Sequence, residues 1–63
     1  MREIKFIGKS DYNFTNGEIY QLIKIQQDDY YFNTWISNDS NKISFIPYAT
    51  LDNFNENWEV VNE

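Results

Sequence analysis

The sequence predicts an all-β fold: five short antiparallel strands in a meander, closing into a small barrel, with a single helical turn before the last strand. Three observations carry this. Runs of β-branched and aromatic residues alternate with acidic, amide-rich breaks at residues 26–29 and 38–41, the pattern of strands separated by turns. The pair Asn16-Gly17 is a tight-turn signal that feeds straight into one such run. Finally, 63 residues of which 19% are aromatic allow one small domain, spanning residues 1–63, whose core has to be dense. Rings that each remove roughly 150–250 Å² from water fill such a core from few positions.

Residues 3–7 set Ile4 and Phe6 against Lys5 and Ile7 and form the first strand, which Gly8 ends. Residues 9–16 gather Ser, Asp, Asn and Thr around Tyr12 and Phe14, a loop whose rings fold back over the core. Gly17 then supplies positive φ at little steric cost. Over residues 18–26, Tyr20 and Leu22 share one face while Ile19, Ile23 and Ile25 share the other, which calls for a β-bulge or for burial on both faces. Residues 30–37 place Tyr30, Phe32, Thr34 and Ile36 on a core face and Tyr31, Asn33, Trp35 and Ser37 on a half-wet one. Asn38-Asp39-Ser40-Asn41 reads as a four-residue hairpin connection, after which Ile43 and Phe45 alternate with Lys42, Ser44 and Ile46. Pro47 belongs at a strand end or on an edge strand. Residues 50–54 break the strand period behind a capping Thr50, as one turn of helix of the 3₁₀ type does, and residues 58–61 return to alternation as the last strand. Closing the barrel would protect strand edges that otherwise invite aggregation.

Ten acidic against five basic residues give a net charge of −5, which disfavours general attraction to DNA, RNA or an anionic membrane. The absence of cysteine rules out disulfide and thiolate-zinc staples and suits a reducing compartment. The first residues alternate charged and apolar side chains without a signal-like apolar stretch, and nowhere do about 18 apolar residues run together. A cytoplasmic protein without a membrane segment is expected. Abundant Asn, Ile and Tyr hint at an AT-rich bacterial or phage genome.

Chemistry narrows by elimination. With neither His nor Cys, the commonest general base, the soft metal ligands and the usual partner of a serine nucleophile are all missing. Asp28 and Asp29 are adjacent, and neighbouring carboxylates in a turn point apart and stay solvated. Asp52, Asn53, Asn55 and Glu56 lack the spacing and the glycine of a calcium loop. Gly8 and Gly17 compose no phosphate cradle. No catalytic residue, metal or cofactor is expected, and the chain reads as a binding protein.

Phe-Ile-Gly-Lys-Ser-Asp over residues 6–11, Thr-Asn-Gly-Glu-Ile-Tyr-Gln-Leu over residues 15–22, the Asn38-Asp39 turn and Leu-Asp-Asn-Phe before Trp-Glu-Val-Val together resemble the small Src-homology-3-like barrel proteins of Firmicutes and their phages. The resemblance covers almost the whole chain, through turns and core positions. Two features depart from it: the turn at residues 38–41 has no glycine, and residues 30–35 are unusually aromatic. The resemblance implies a non-enzymatic accessory protein and, for a phage member, interference with a host protein or a host immune signal.

A barrel this small has few interior positions, so some rings are expected outside, where an aromatic patch marks an interface. Tyr12, Phe14, Tyr31, Trp35 and Tyr48 are the rings least committed to the core by pattern, and Lys9, Lys42 and Arg2 are cations that could accompany an anionic ligand. The first reading is an anti-defence inhibitor that binds a host protein through Trp35, Tyr31 and the acids Asp28, Asp29 and Asp39. Self-association into a homo-oligomer is expected alongside it. The alternatives are an oligomeric sponge that stacks a nucleotide signal between rings and neutralises it with pooled cations, and a plain structural or regulatory module.

Overall fold

A computed structural model describes residues 2–62. Five strands and one helix follow in the order β1 (Arg2–Phe6), β2 (Ile19–Gln27), β3 (Phe32–Ser37), β4 (Ile43–Tyr48), α1 (Leu51–Asn57) and β5 (Trp58–Asn62). All strand pairs are antiparallel in one sheet, with spatial order β4-β3-β2-β1-β5. The expected β-rich meander with a helix before the last strand is therefore present.

One face of the sheet holds the core: Ile4 and Phe6 from β1, Tyr20 and Leu22 from β2, Phe32 and Ile36 from β3, Trp58 from β5, with Phe14 and Phe54 closing over them. The broken alternation of β2 has the anticipated cause. Its register against β3 shifts between Leu22 and Lys24, so parity changes there and Ile25 packs against the same core as Tyr20 and Leu22, while Ile19 and Ile23 remain exposed. Gly17 takes φ +90° at the end of the β1–β2 loop, as a tight turn requires.

Four expectations about the elements need correction, the last of them the four-residue hairpin connection at residues 38–41, which is a three-residue loop closed by the Asn38 N–H donating to the Lys42 carbonyl. The helical segment is an α-helix of seven residues rather than a single 3₁₀ turn. Thr50 caps it by accepting the Asn53 N–H at 3.2 Å, Asp52 places negative charge in the first turn, and buried Phe54 anchors it to the core. The second correction concerns Tyr30: β3 starts only at Phe32, and Tyr30 lies 81% exposed in the β2–β3 turn.

Closure of the cylinder is the third. Strand pairing stops at β4 on one side and β5 on the other. Four strand spacings of roughly 4.8 Å would separate these edges in a flat sheet, yet Trp58 Nε1–H donates to the Tyr48 hydroxyl at 2.8 Å across them. The sheet is coiled far enough for its edges to meet through side chains at this one end, where α1 connects β4 to β5 in the chain.

Candidate binding surface

The β2–β3 turn is built around Asp28. Its Oδ1 accepts the N–H groups of Tyr30 at 2.8 Å and Tyr31 at 2.7 Å, its Oδ2 accepts Asn33 Nδ2 at 3.1 Å, and its own N–H donates to the Tyr31 carbonyl at 3.0 Å. This is an Asx turn tied to the first residues of β3. The N–H groups of Tyr30 and then Tyr31 lower the Asp28 pKa from its ordinary value, with the Asn33 amide adding to them. The carboxylate thus stays charged at neutral pH while it holds the turn. Around it stand Asp29, exposed, and two tyrosines, Tyr30 81% and Tyr31 51% exposed. An acidic, two-ring tip projects from one end of the sheet.

A second feature lies on the sheet face away from the core. Lys24, Trp35 and Phe45 occupy matching positions on β2, β3 and β4. Their side chains form a row: Lys24 Nζ sits 4.8 Å from the centre of the Trp35 ring, and the Trp35 and Phe45 rings are 4.8 Å apart at 44°. Trp35 is half-buried by these neighbours, whereas Phe45 stays 54% and Ile43 60% exposed.

The remaining candidates separate. Tyr12, expected to fold back over the core with Phe14, is instead almost wholly in solvent in the β1–β2 loop. Phe14, counted among the binding candidates, belongs to the core as the fold-back of its loop implied: its ring meets Phe6, Tyr20 and Trp58 at centroid distances of 5.6, 5.0 and 4.9 Å. The loop delivers it inward because Asp11 Oδ1 accepts the Asn13 and Phe14 N–H groups and closes a turn just before it. Tyr48 is half-buried against the core and is the acceptor for Trp58. Its burial, and to a smaller degree the negative charge of Asp11, raise its pKa, against the opposing hydrogen bonds of Trp58 and Asn57. Asp39 is a structural tie rather than an open carboxylate: Oδ1 accepts the Tyr20 hydroxyl at 2.7 Å and Oδ2 the Thr15 hydroxyl at 3.0 Å. Lys9 in the β1–β2 loop and Lys42 at the β3–β4 hairpin are exposed on different elements, apart from Lys24 and from Arg2 on β1.

The structure therefore brings together Asp28, Asp29 and Tyr31, places Trp35 on the outer face beginning two residues past Asn33, and leaves Tyr12, Tyr48 and the two lysines apart. Sequence reasoning missed Tyr30, Phe45 and Lys24. No local signal marked Phe45, which shares the face of Trp35 only because the hairpin register pairs the two. No protein-family model matches this sequence, and comparison with characterised proteins and with solved structures returns no match.

Proposed function

We propose that this chain is a non-enzymatic binding protein of the small Src-homology-3-like barrel type, phage or prophage encoded, that inhibits a host protein by gripping it with the acidic, aromatic β2–β3 turn and the neighbouring Trp35 face. The observation that carries the reading is the Asp28 turn: three hydrogen bonds to one carboxylate hold two largely exposed tyrosines in place beside a second acid. Rings presented on a fixed backbone lose little entropy when they are covered, which is what makes tyrosine effective at interfaces. Asp28 and Asp29 select for a basic patch on the partner and speed its approach. The barrel part of the reading is supported by the strand order, by the helix ahead of β5 and by the Trp58–Tyr48 hydrogen bond across the two edges. A host protein is the partner expected from the resemblance to phage-borne barrels.

The test is capture from host lysate on the immobilised protein, repeated with the Tyr30→Ala/Tyr31→Ala double variant. Both rings lie outside the core, so the variant is expected to melt with the parent. One host protein retained in stoichiometric amount by the parent, lost by the variant and weakened by salt supports the proposal. Retention that is unchanged in the variant contradicts it.

A further inference from the structure

The two edges of the sheet are not equivalent. On β5, the register against β1 shifts between Glu3 and Ile4, and Glu59 puts a charge on the strand; a bulge and a charge are both devices that blunt an edge. β4 carries neither. Its six residues, Ile-Ser-Phe-Ile-Pro-Tyr, bear no charge at neutral pH, and their register against β3 is regular.

Its hydrogen-bonding parity follows from two facts. The hairpin is closed by the Asn38 N–H donating to the Lys42 carbonyl at 2.8 Å, and Pro47, which has no N–H, lies opposite Asn33. In an antiparallel ladder bonded and non-bonded pairs alternate. The bonded pairs are therefore Ile36 with Ser44, Thr34 with Ile46 and Phe32 with Tyr48, and the N–H and C=O groups of Ile43 and Phe45 point away from β3, on the outer edge of the sheet. The Pro47 carbonyl points the same way, and its missing N–H ends the available edge. What remains is a segment two bonded positions long, with the exposed side chains of Ile43 and Phe45 on the outer face of the sheet.

The geometry points to a second copy of this chain as the occupant of that edge, with β4 pairing antiparallel to β4 of the other copy about a two-fold axis at Ser44. In this register Ile43 of each copy lies opposite Phe45 of the other, so both N–H and both C=O groups of each copy are bonded and neither proline falls within the ladder. Centring on Phe45 instead would set Ile43 against Pro47 and leave a carbonyl of Ile43 without a donor. The chosen register also continues the row of Trp35 and Phe45 with Ile43 of the other copy, closing an apolar strip over the joint. Two molecules of net charge −5 meet there through an uncharged strand.

Because the chain has no cysteine, a single Ser44→Cys substitution reports the axis directly. Opposed residues of a non-bonded antiparallel pair have α-carbons about 4.5 Å apart, within disulfide reach. Mild oxidation is expected to link Ser44→Cys into covalent dimers at least about tenfold faster than Ser40→Cys at the hairpin tip, since a pre-formed dimer makes the reaction intramolecular. Sedimentation of the unmodified protein should show a concentration-dependent dimer, and Phe45→Lys or Ile43→Lys, both on exposed side chains, should give a monomer with an unchanged far-ultraviolet spectrum. A protein that sediments as a monomer throughout, or a dimer in which Ser44→Cys links no faster than Ser40→Cys, overturns the inference. The Tyr30→Ala/Tyr31→Ala variant lies off this edge and should dimerise as the parent does, so loss of host-protein capture and loss of dimerisation are separable results.

Discussion

Asp39 and Tyr20 show how single side chains hold this small molecule together. The Tyr20 hydroxyl accepts the Thr15 N–H at 2.7 Å and donates to Asp39 at 2.7 Å, while the Asp39 N–H donates to the Asn13 carbonyl at 2.9 Å. One phenol thus ties the β1–β2 loop, which carries Phe14 into the core, to the β3–β4 hairpin. Burial, and then the hydrogen bond to Asp39, raise its pKa above the ordinary 10.0. A folded-state value raised in this way means that the stabilisation is complete below about pH 10 and is lost as pH rises through the folded value. Tyr20→Phe leaves the Thr15 N–H and one Asp39 oxygen without their partner. It should cost about 1 kcal/mol in a urea melt at pH 7, and the difference from the parent should shrink above pH 10 as the parent loses its own proton. A Tyr20→Phe protein as stable as the parent at pH 7 would show that the tie contributes nothing. For Asp28 the sign is opposite: its lowered pKa means that the turn's contribution is present at neutral pH and is lost as pH falls through the folded value.

At the scale of the element, the β3–β4 hairpin decides which side chains face out. A four-residue connection over residues 38–41 would pair Ser37 with Lys42 and turn Phe45 toward the core beside Thr34. The chain instead closes through Asn38 and Lys42, with the Asn41 N–H donating to the Asn38 carbonyl at 2.9 Å and Asn41 at φ 61°. This is the three-residue loop with a left-handed third position, usually a glycine. Ser37 therefore pairs with Ile43 and Trp35 with Phe45, and one residue of slip moves the whole of β4 to the other face. Asn is among the few residues that tolerate this conformation, which answers the missing glycine of the turn. Asn41→Gly is expected to raise stability by roughly 0.5 kcal/mol and Asn41→Val to lower it by roughly 1–2 kcal/mol, read as midpoints of urea unfolding. Equal midpoints for the two would place the loop in another conformation. Strands, breaks and the β2 bulge were legible because each leaves a mark in local pattern: Tyr20, Leu22 and Ile25 record the bulge directly. The hairpin register was not, because asparagine at position 41 fits either loop, and the choice rests on pairing along the whole of β3. Local pattern did not separate Phe14 from Tyr12 for a related reason: the inward course of Phe14 depends on the Asp11 turn and on the ring of Trp58, which is 44 residues away in sequence.

On the scale of the whole molecule, the rings divide between two tasks. Phe6, Phe14, Tyr20, Phe32, Phe54 and Trp58 make one buried cluster, in which edge-to-face contacts at 4.9–5.9 Å link Phe14, Tyr20 and Trp58. Tyr12, Tyr30, Tyr31 and Phe45 stay mostly in solvent, and the coiled sheet sends them to separate places: a loop, a turn and an edge strand. Lys9, Lys24 and Lys42 lie on different segments of the fold, so adding a panel of cyclic nucleotides should leave the melting temperature unchanged, whereas a rise with one of them would favour sequestration of a nucleotide signal. Among the described residues no helix is long and apolar enough to cross a membrane.

Tyrosine modification read by mass spectrometry tests most directly whether the outward rings of the β2–β3 turn are a recognition surface. In the native protein Tyr12, Tyr30 and Tyr31 should react with a nitrating reagent, while Tyr20 and Tyr48, buried or half-buried and with raised pKa values, should react only on unfolding. Once the captured host protein is bound, Tyr30 and Tyr31 should become protected and Tyr12 should not. Reaction of Tyr30 and Tyr31 at the same rate in the complex as in the free protein would contradict the account.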